Sequence, residues 1–286
     1  MFAYPGRLDR VRQARRLDPA RDYETIYRNM ALWDFPADLR MGLLLAFWRT
    51  FTIPRLAGIL LATGTMTGHT RRRADDTGIL MYELVLHGLD DPRGRRATRR
   101  LNRIHRGLPV GNEDHLYVLA TLIVIPTRWL DRYGWRPVCC HERAATHAFY
   151  RELGRRLNIR DIPDSYADTE RRLRAYERRN LRYSPAGAEL MAATKQLLAD
   201  LPAWLTPAAA RVADALLDPQ LRSATGVGAP PRTVGAAVSA ALTVRQRLGR
   251  LLPPRRRPWL ADGIVTATHP DGYDLDRVGR AYLPAD

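Results

Sequence analysis

The sequence predicts an all-α protein built as a single helical domain. Apolar residues recur at spacings of three and four along most of the chain, whereas the apolar–polar alternation typical of strands is scarce. The chain has 286 residues, of which 45% are hydrophobic and 27% are charged. Such a chain can bury a large core and is not expected to be disordered.

Glycine and proline divide the first half of the chain into five predicted helices. These cover residues 23–32, 36–51, 53–68, 70–88 and 92–106, and the third is expected to be broken by Gly64 and Gly68. Pro36 and Pro92 fit the first helical turn, where the missing N–H costs nothing, and Asp91 is a suitable N-cap. Gly88 and Gly107 end the last two of these helices.

Six further helices are predicted in the second half. They cover residues 112–134, 139–158, 165–180, 186–202, 207–218 and 233–252. The segment "PPRRRPW", residues 253–259, closes the packed region, so the domain is expected at residues 23–258. Residues 1–22, which are polar and rich in arginine, are expected to form a loosely held arm, and residues 259–286 a weakly ordered tail.

The chain is strongly basic, with a formal net charge of +16, and Lys195 is its only lysine. Because arginine supplies nearly all of the cations, part of this charge reflects coding bias. A basic surface suits nucleic acid, anionic lipid or an acidic ligand. No zinc-knuckle spacing, glycine-rich RNA-binding signature or basic region before heptads is found, so nucleic acid is not expected as a partner.

The cysteine pattern and the apolar segments bear on the location of the protein. Cys139 and Cys140 are adjacent and cannot form a disulfide that links distant parts of the chain. This favours a reducing compartment. No pattern typical of a secretion signal opens the sequence. The segments "MGLLLAF" and "IPRLAGILLATG" each fall short of the ~18 apolar residues of a membrane span. We therefore expect a cytoplasmic protein, with peripheral contact to a membrane as the form that any lipid contact takes.

His105 is the first candidate for a functional residue. It lies four residues after Leu101, about 40° around the helix from it, and so shares the apolar stripe of Ala97, Leu101 and Ile104. The neighbouring arginines mostly occupy the opposite side. The side chain is therefore predicted to point inward, either as a core histidine bonded to a backbone carbonyl or as a ligand.

Arg73 and Thr77 form a second inward-facing polar pair. They are four residues apart and share a helix face with Leu80 and Leu84. A buried arginine needs an anion, because an unpaired buried cation is very costly. Two readings are open for that anion: a carboxylate of Asp75, Asp76 or Glu83, or an acidic group of a bound ligand.

Several segments, taken in order, resemble the MpaB-type oxygenases, a family that shares its catalytic domain with the rubber oxygenases known as latex-clearing proteins. The resemblance covers residues 23–258. It is carried by "RADDTGILMYELVLHG", "LNRIHRGLPVGNEDHLYVLATLIVIP" and "RYGWRP", with His105 placed 28 residues after Thr77.

The resemblance implies an all-helical domain with a globin-like core that holds a b-type haem. His105 would be the proximal ligand of the haem iron, and Arg73 and Thr77 would line the pocket and help to retain the cofactor. The implied activity is cleavage of a carbon–carbon double bond in a lipophilic isoprenoid chain by dioxygen, which gives carbonyl products.

The distal side of the implied haem departs from the rubber oxygenases in two ways. They carry a lysine just before the threonine, where this chain has Asp76, and they use an upstream glutamate as a distal base. The stretch "LAGILLATGTMTGHTRRR" contains no acidic residue, and His69 is its only base of suitable pKa. His69 is therefore the candidate catalytic base. The alternatives are a non-catalytic haem- or lipid-binding protein and a basic membrane-surface or nucleic-acid module.

Two other histidine-bearing segments are assigned no chemistry. In "CCHERAATH", His141 and His147 are six residues apart and do not share a helix face, so a polar helix start is favoured over a metal site. His115 could approach a pocket, but a surface or capping role is favoured. The segment "RYGWRP" is expected to form a packed turn.

Overall fold

The computed structural model describes residues 6, 8–195 and 206–279, and within these ranges it is helical. The α-helices are α1 Asp9–Ala14, α2 Tyr23–Asn29, α3 Pro36–Arg49, α4 Pro54–Ala62, α5 Thr65–Gly68, α6 Thr70–His87, α7 Pro92–Arg106, α8 Asn112–Tyr133, α9 Cys140–Arg156, α10 Tyr166–Asn180, α11 Pro185–Lys195, α12 Thr206–Leu216, α13 Pro219–Thr225 and α14 Arg232–Leu251. A π-helical turn, Met30–Asp34, precedes α3, and a 3₁₀ turn, Thr50–Thr52, follows it. The described residues contain one isolated antiparallel bridge and no strand, which confirms the all-α class.

Most predicted helices are present with boundaries within a few residues of the prediction. The predicted break of segment 53–68 at Gly64 is confirmed, since Gly64 has φ +64° and separates α4 from α5. Helices α1 and α13 were not predicted. Residues 196–202 of the predicted helix 186–202, the first residues of the expected arm and the last seven residues of the expected tail lie outside the described residues.

The centre of the fold is the close packing of α3 against α8. A Cβ atom on Gly42 would lie 2.5 Å from Cα of Pro126, so only glycine allows this approach. Pro126 lies inside α8, where it removes one backbone hydrogen bond, and is buried against α3. Packing against α3 therefore compensates for a residue that would weaken an isolated helix.

Two buried arginines tie the helices together through carboxylates. Arg136 Nη1 and Nη2 donate to Glu142 at 2.7 Å and 2.6 Å, and Nη2 also donates to Asp34. Arg49 donates to Glu177 of α10 and to Asp218 at the start of α13. Each cation has its carboxylates in direct contact, which is the condition for a buried charge to be tolerated. The expectation that "RYGWRP" forms a packed turn is confirmed, since Arg136 also lies 4.7 Å from the Phe35 ring centre.

The described part of the C-terminal segment, which was expected to be a weakly ordered tail, bonds and packs against the helices at several residues, whereas others such as Val265 are exposed. The Trp259 N–H donates to the Leu32 carbonyl at 2.7 Å, and its ring meets that of Tyr82 edge-on at 4.8 Å. Asp75 of α6 accepts hydrogen bonds from the Thr268 N–H at 3.0 Å and from its hydroxyl at 2.9 Å. Residues 259–279 thus lie against α6 and α7, because polar side chains of those helices supply the partners that a non-periodic segment needs.

The N-terminal arm is also held more closely than expected. Within α1, Val11 and Ala14 are buried, and Ala14 belongs to a small apolar cluster with Ile26 and Ala145. Arg10 lies 3.9 Å from the ring centre of Trp33. The arm therefore adds a short helix to the domain.

No single helix among the described residues is long and apolar enough to cross a membrane. Residues Pro36–Thr52 and Pro54–Ala62 meet the length and composition criteria only together, as a pair bent by 99°.

Candidate functional site

The site is built on α6, α7 and the first turn of α8. On α6, Arg73 and Thr77 are half-buried and lie one turn apart. The Thr77 hydroxyl donates to the Arg73 carbonyl at 2.8 Å, and Arg73 Nη1 donates to the same hydroxyl oxygen. These two contacts fix the guanidinium and the hydroxyl beside each other on one helix face.

Helix α7 places His105 in its last turn. The helix begins as predicted, with the Asp91 carboxylate accepting from the Arg93 N–H at 2.8 Å and Pro92 in the first turn. Its outer side carries exposed arginines, whereas Ala97 and Ile104 are buried. His105 is half-buried and lies near Arg73 of α6, so the predicted inward direction is confirmed.

His115, from the first turn of α8, lies beside His105, as in the less favoured of its two expected roles. Its ring centre lies 5.4 Å from that of His105, with the planes inclined by 46°. The two histidines are brought together because the loop of residues 107–111 reverses the chain between α7 and α8. The signal was present in the sequence, since a short helix–helix connection brings the last turn of one helix beside the first turn of the next.

Both imidazoles are held neutral. Burial, followed by the charges of His115 and Arg73, lowers the pKa of His105 to about 4. Burial also lowers the pKa of His115, against the opposing effects of the Gly111 carbonyl and Asp114. A neutral imidazole keeps a lone pair on one ring nitrogen, which is the form that binds a metal.

No hydrogen bond to a ring nitrogen of His105 is found among the residues that the structure describes. Two roles were considered for His105, a core histidine bonded to a backbone carbonyl and a ligand. The first role therefore does not describe it. The carbonyl-bonded histidine is instead His147 of α9, whose Nε2 donates to Pro163 O at 3.0 Å. His147 is buried, and its pKa is also lowered by burial.

Each of the three carboxylates that the sequence offered to Arg73 also contacts another group. Asp75 is bound by Thr268, and Glu83 by Arg93 at 2.6 Å and by the Tyr273 hydroxyl. Asp76 is buried and accepts a hydrogen bond from the Gly279 N–H at 3.1 Å. The C-terminal segment therefore supplies partners for all three acidic residues.

His269 is a residue that sequence reasoning did not find. Its Nε2 lies 3.4 Å from Asp76 Oδ1, and the Thr268 hydroxyl lies 3.0 Å from its Nδ1. Its contact with α6 depends on the fold of the C-terminal segment, and no spacing in the sequence relates position 269 to position 76.

His69, the candidate distal base, lies at the boundary between α5 and α6. Its side chain is exposed, and its carbonyl accepts the Arg73 N–H at 2.9 Å. His69 thus lies one helical turn before Arg73, at the N-terminal end of α6.

The chemistry of the donor set fits a haem. Among the described residues, no group of three or more histidines, cysteines or acidic residues could hold a metal ion on its own. Haem iron needs fewer protein ligands, because the macrocycle supplies four nitrogens and one histidine can supply the fifth. His105 offers that nitrogen, Arg73 offers a cation for a propionate, and Thr77 offers a hydroxyl.

The residues of "CCHERAATH" have structural contacts. Cys139 is the N-cap of α9, and its N–H donates to Glu142 at 2.9 Å in a capping box. Glu142 is also the partner of Arg136. These contacts agree with the polar helix start that the sequence predicts.

Comparisons with known proteins agree with one another. A family model described as "ER-bound oxygenase mpaB/B'/Rubber oxygenase, catalytic domain" matches residues 33–247. The ER-bound oxygenase mpaB' of Penicillium brevicompactum is 27% identical over 268 residues, which is 87% of this chain and 63% of that protein. The ER-bound oxygenase mpaB of Penicillium roqueforti is 29% identical over 140 residues, 47% of each protein. The chain thus spans less than two thirds of the length of these curated relatives.

The structural comparison points to the same fold. Latex clearing protein in its closed state aligns with a TM-score of 0.54 and 17% sequence identity, over 86% of this chain and 74% of that one. At this level of identity the likeness shows a common helical fold.

Proposed function

The chain belongs to the family of the ER-bound oxygenases mpaB and mpaB' and the rubber oxygenase catalytic domain, and from that premise we propose that it is a haem-b-dependent oxygenase. Its substrates would be dioxygen and a lipophilic, isoprenoid-type small molecule whose carbon–carbon double bond is cleaved. The proposal is supported by the oxygenase names of the relatives and by the residues that the fold brings together at α6 and α7.

The observation that carries this proposal is the state of His105. Its imidazole is neutral above its pKa of about 4, and no described residue bonds its ring nitrogens. It would ligate the iron, Arg73 would hold a propionate through a charge-assisted hydrogen bond, and Thr77 would fix the guanidinium. The bound haem would supply the dioxygen chemistry, and the chain would supply the ligand, the charge partner and a dry pocket.

The test is the visible absorption spectrum and the haem content of the purified protein. We expect a haem spectrum for the wild type and at least about a tenfold lower haem content for His105→Ala, since the axial bond is lost. His147→Ala is the matched control, because it removes a buried neutral histidine elsewhere and should leave haem content within about twofold. Unchanged haem content and spectrum in His105→Ala would refute the ligand assignment.

The catalytic base is a separate part of the proposal. His69 is exposed at the entrance to α6 and would act on the substrate as the base that rubber oxygenases take from a glutamate. His69→Ala should keep the haem spectrum and lose most of the dioxygen consumption with a polyisoprenoid alkene. A changed spectrum would show ligation instead, and unchanged spectrum and turnover would remove His69 from the mechanism.

One observation favours a second candidate, a non-catalytic haem- or lipid-binding protein. Asp76 stands where rubber oxygenases carry lysine, and it is buried and bound by the C-terminal segment. A haem-loaded protein that consumes no dioxygen with any polyisoprenoid alkene would support this candidate.

The location expected from the sequence, the cytoplasm with peripheral contact to a membrane, is part of the proposal. It is supported by the two free cysteines and by the printed names of the relatives, which are ER-bound. A lipophilic substrate would itself partition into a membrane, so contact with lipid would bring the protein to its substrate.

A further inference from the structure

Helix α14 presents an apolar face that no other described part of the chain covers. None of its 20 residues is buried. Ala237, Ala241, Val244, Leu248 and Leu251 follow one another at spacings of four and three, which places them on one face, and all five are exposed. We call these five residues the ridge. Leu251 is 81% exposed, far more than the apolar residues of an inward face.

The opposite face of α14 contacts the domain, so the helix is held in place with the ridge outward. Val238, Leu242 and Gln246 are half-buried. A Cβ atom on Gly249 would lie 3.0 Å from Cβ of Trp135, and Arg245 bonds Asp38 of α3. The ridge is therefore not the core-facing side of this helix.

Large exposed apolar side chains are concentrated at the end of α14. Of the eight found among the described residues, four lie within residues 244–252: Val244, Leu248, Leu251 and Leu252. Single exposed apolar residues are ordinary, but a contiguous group on one helix indicates an interaction surface.

The charge around the ridge is mostly positive, although Arg245 is paired with Asp38 and Arg257 with Asp262. Residues 219–261 contain eight arginines and no acidic residue. Arg247 flanks the ridge and is exposed, and the exposed Arg255, Arg256 and Arg257 follow it directly. The surface thus combines an apolar strip, roughly 30 Å long for 20 residues, with a dense positive border.

The positive charge beside the ridge favours one of two partners that could cover it, a second copy of the chain or an anionic membrane surface. A second copy of the chain would place its own arginines, including Arg247, beside those of the first, and like charges beside an apolar seam oppose pairing. An anionic membrane surface instead complements the arginines, while its acyl boundary accepts the apolar strip.

We propose that the ridge of α14 and the arginines that follow it bind an anionic membrane surface. The helix lies in the plane of the membrane, with Val244, Leu248 and Leu251 inserted among the acyl chains. Arg247, Arg255 and Arg256 contact the lipid phosphates. The inference assigns a surface to the membrane contact included in the proposed function and requires no haem.

The test is co-sedimentation of the full chain with vesicles. We expect binding to phosphatidylcholine vesicles that contain about one third phosphatidylserine, weak binding to pure phosphatidylcholine, and loss of binding as salt is raised. The double variant Leu248→Glu/Leu251→Glu should reduce the partition coefficient at least about tenfold. Reversal of Arg247 and Arg255 to glutamate should reduce it by a similar factor.

Val265→Glu is the matched control, since Val265 is 64% exposed on the C-terminal segment and lies outside α14. It should bind vesicles as the wild type does. Circular dichroism and melting curves of all variants show whether they fold, and Leu248→Gln/Leu251→Gln offers a milder ridge variant. Equal vesicle binding by wild type and ridge variants, or no wild-type binding to anionic vesicles, would overturn the proposal.

Two further readouts separate the other outcomes. If sedimentation equilibrium shows a wild-type dimer that the ridge variants convert to a monomer, and no vesicle binding, the ridge is a contact between copies and the proposal is wrong. The haem spectrum of each variant should match the wild type, so failure of the haem assignment and failure of membrane binding are distinguishable.

Discussion

His105 and His147 are two histidines whose pKa values are lowered by burial, and they differ in what their rings contact. His147 donates to the Pro163 carbonyl at 3.0 Å, inside the contact of α9 with the loop before α10. His105 lies 5.4 Å from the His115 ring, and no described residue bonds its ring nitrogens. The fold has provided a partner for one histidine and leaves the other with its lone pair available.

This difference separates a residue that holds the fold from a residue that can hold a ligand. A buried polar group is normally paired, because an unmade hydrogen bond costs about 1–3 kcal/mol. His105 is half-buried and lacks an internal partner, so its ring nitrogens can bind either water or a ligand. Burial and a lowered pKa, which both histidines share, do not discriminate between the two roles.

The largest change in the free energy of unfolding is expected for substitution of the buried Arg49, which is compared with substitution of the half-buried Arg73. Arg49→Leu leaves the carboxylates of Glu177 and Asp218 without their cation. We therefore expect the free energy of unfolding to fall by about 3–5 kcal/mol. Arg73→Leu changes a half-buried side chain and should lower haem retention more than apo stability. Urea unfolding of both apo variants measures this. An equal loss in Arg73→Leu would show that Arg73 belongs to a protein ion pair.

The free energy of unfolding of the apo protein should depend on pH through the protonation of His105. The folded pKa of His105 is about 4 against an ordinary 6.5, so the unfolded chain binds a proton in this range that the folded chain does not. Its contribution is complete above pH 6.5 and is lost as the pH falls toward 4, by about 3 kcal/mol in all. His105→Ala should remove that part of the decline, measured by urea unfolding at several pH values. An unchanged decline in the variant would contradict the lowered pKa.

His147→Ala should lower the free energy of unfolding by about 2 kcal/mol, because it opens a cavity and strands the Pro163 carbonyl. His105→Ala should cost at most about 1 kcal/mol in the apo protein at neutral pH, since no described hydrogen bond is lost and alanine favours the helix. Thermal or urea unfolding of the two apo variants gives the comparison. Equal losses would mean that His105 supports the fold as His147 does.

The smallest effect concerns His115. His115→Gln removes a ring whose charge lowers the pKa of His105, so that pKa should rise toward its ordinary value. Haem content should stay within about twofold of the wild type if His105 alone is the ligand. Titration of the His105 ring by NMR in the apo protein measures the first effect. Loss of haem in His115→Gln would show that the ligand assignment must include both histidines.

Much of the fold could be predicted because it depends on local patterns. The start of α7 at Asp91 and Pro92 and the end of α6 before Gly88 follow from capping chemistry within a few residues. The inward direction of His105 follows from helical periodicity alone. The close approach of α3 and α8 could not be predicted, since it depends on Gly42 meeting Pro126 from a distant part of the chain.

The site was predicted only where its residues share an element. Arg73 and Thr77 are one turn apart, so spacing was enough to place them on one face. The His105–His115 pair required the geometry of the loop between two helices, and the contact of His269 with Asp76 required the path of the C-terminal segment. That segment has no periodic pattern, and its order comes from partners on α6.

The packing of the C-terminal segment on α6 also sets an order of events during synthesis. Asp75 and its partner Thr268 are 193 residues apart, which a ribosome covers in about 10–40 s at 5–20 residues per second. Throughout that interval, Asp75 and Asp76 lack the groups that bind them in the folded protein. The helix that carries Arg73 and Thr77 therefore completes its packing only after the C-terminal segment has been synthesised.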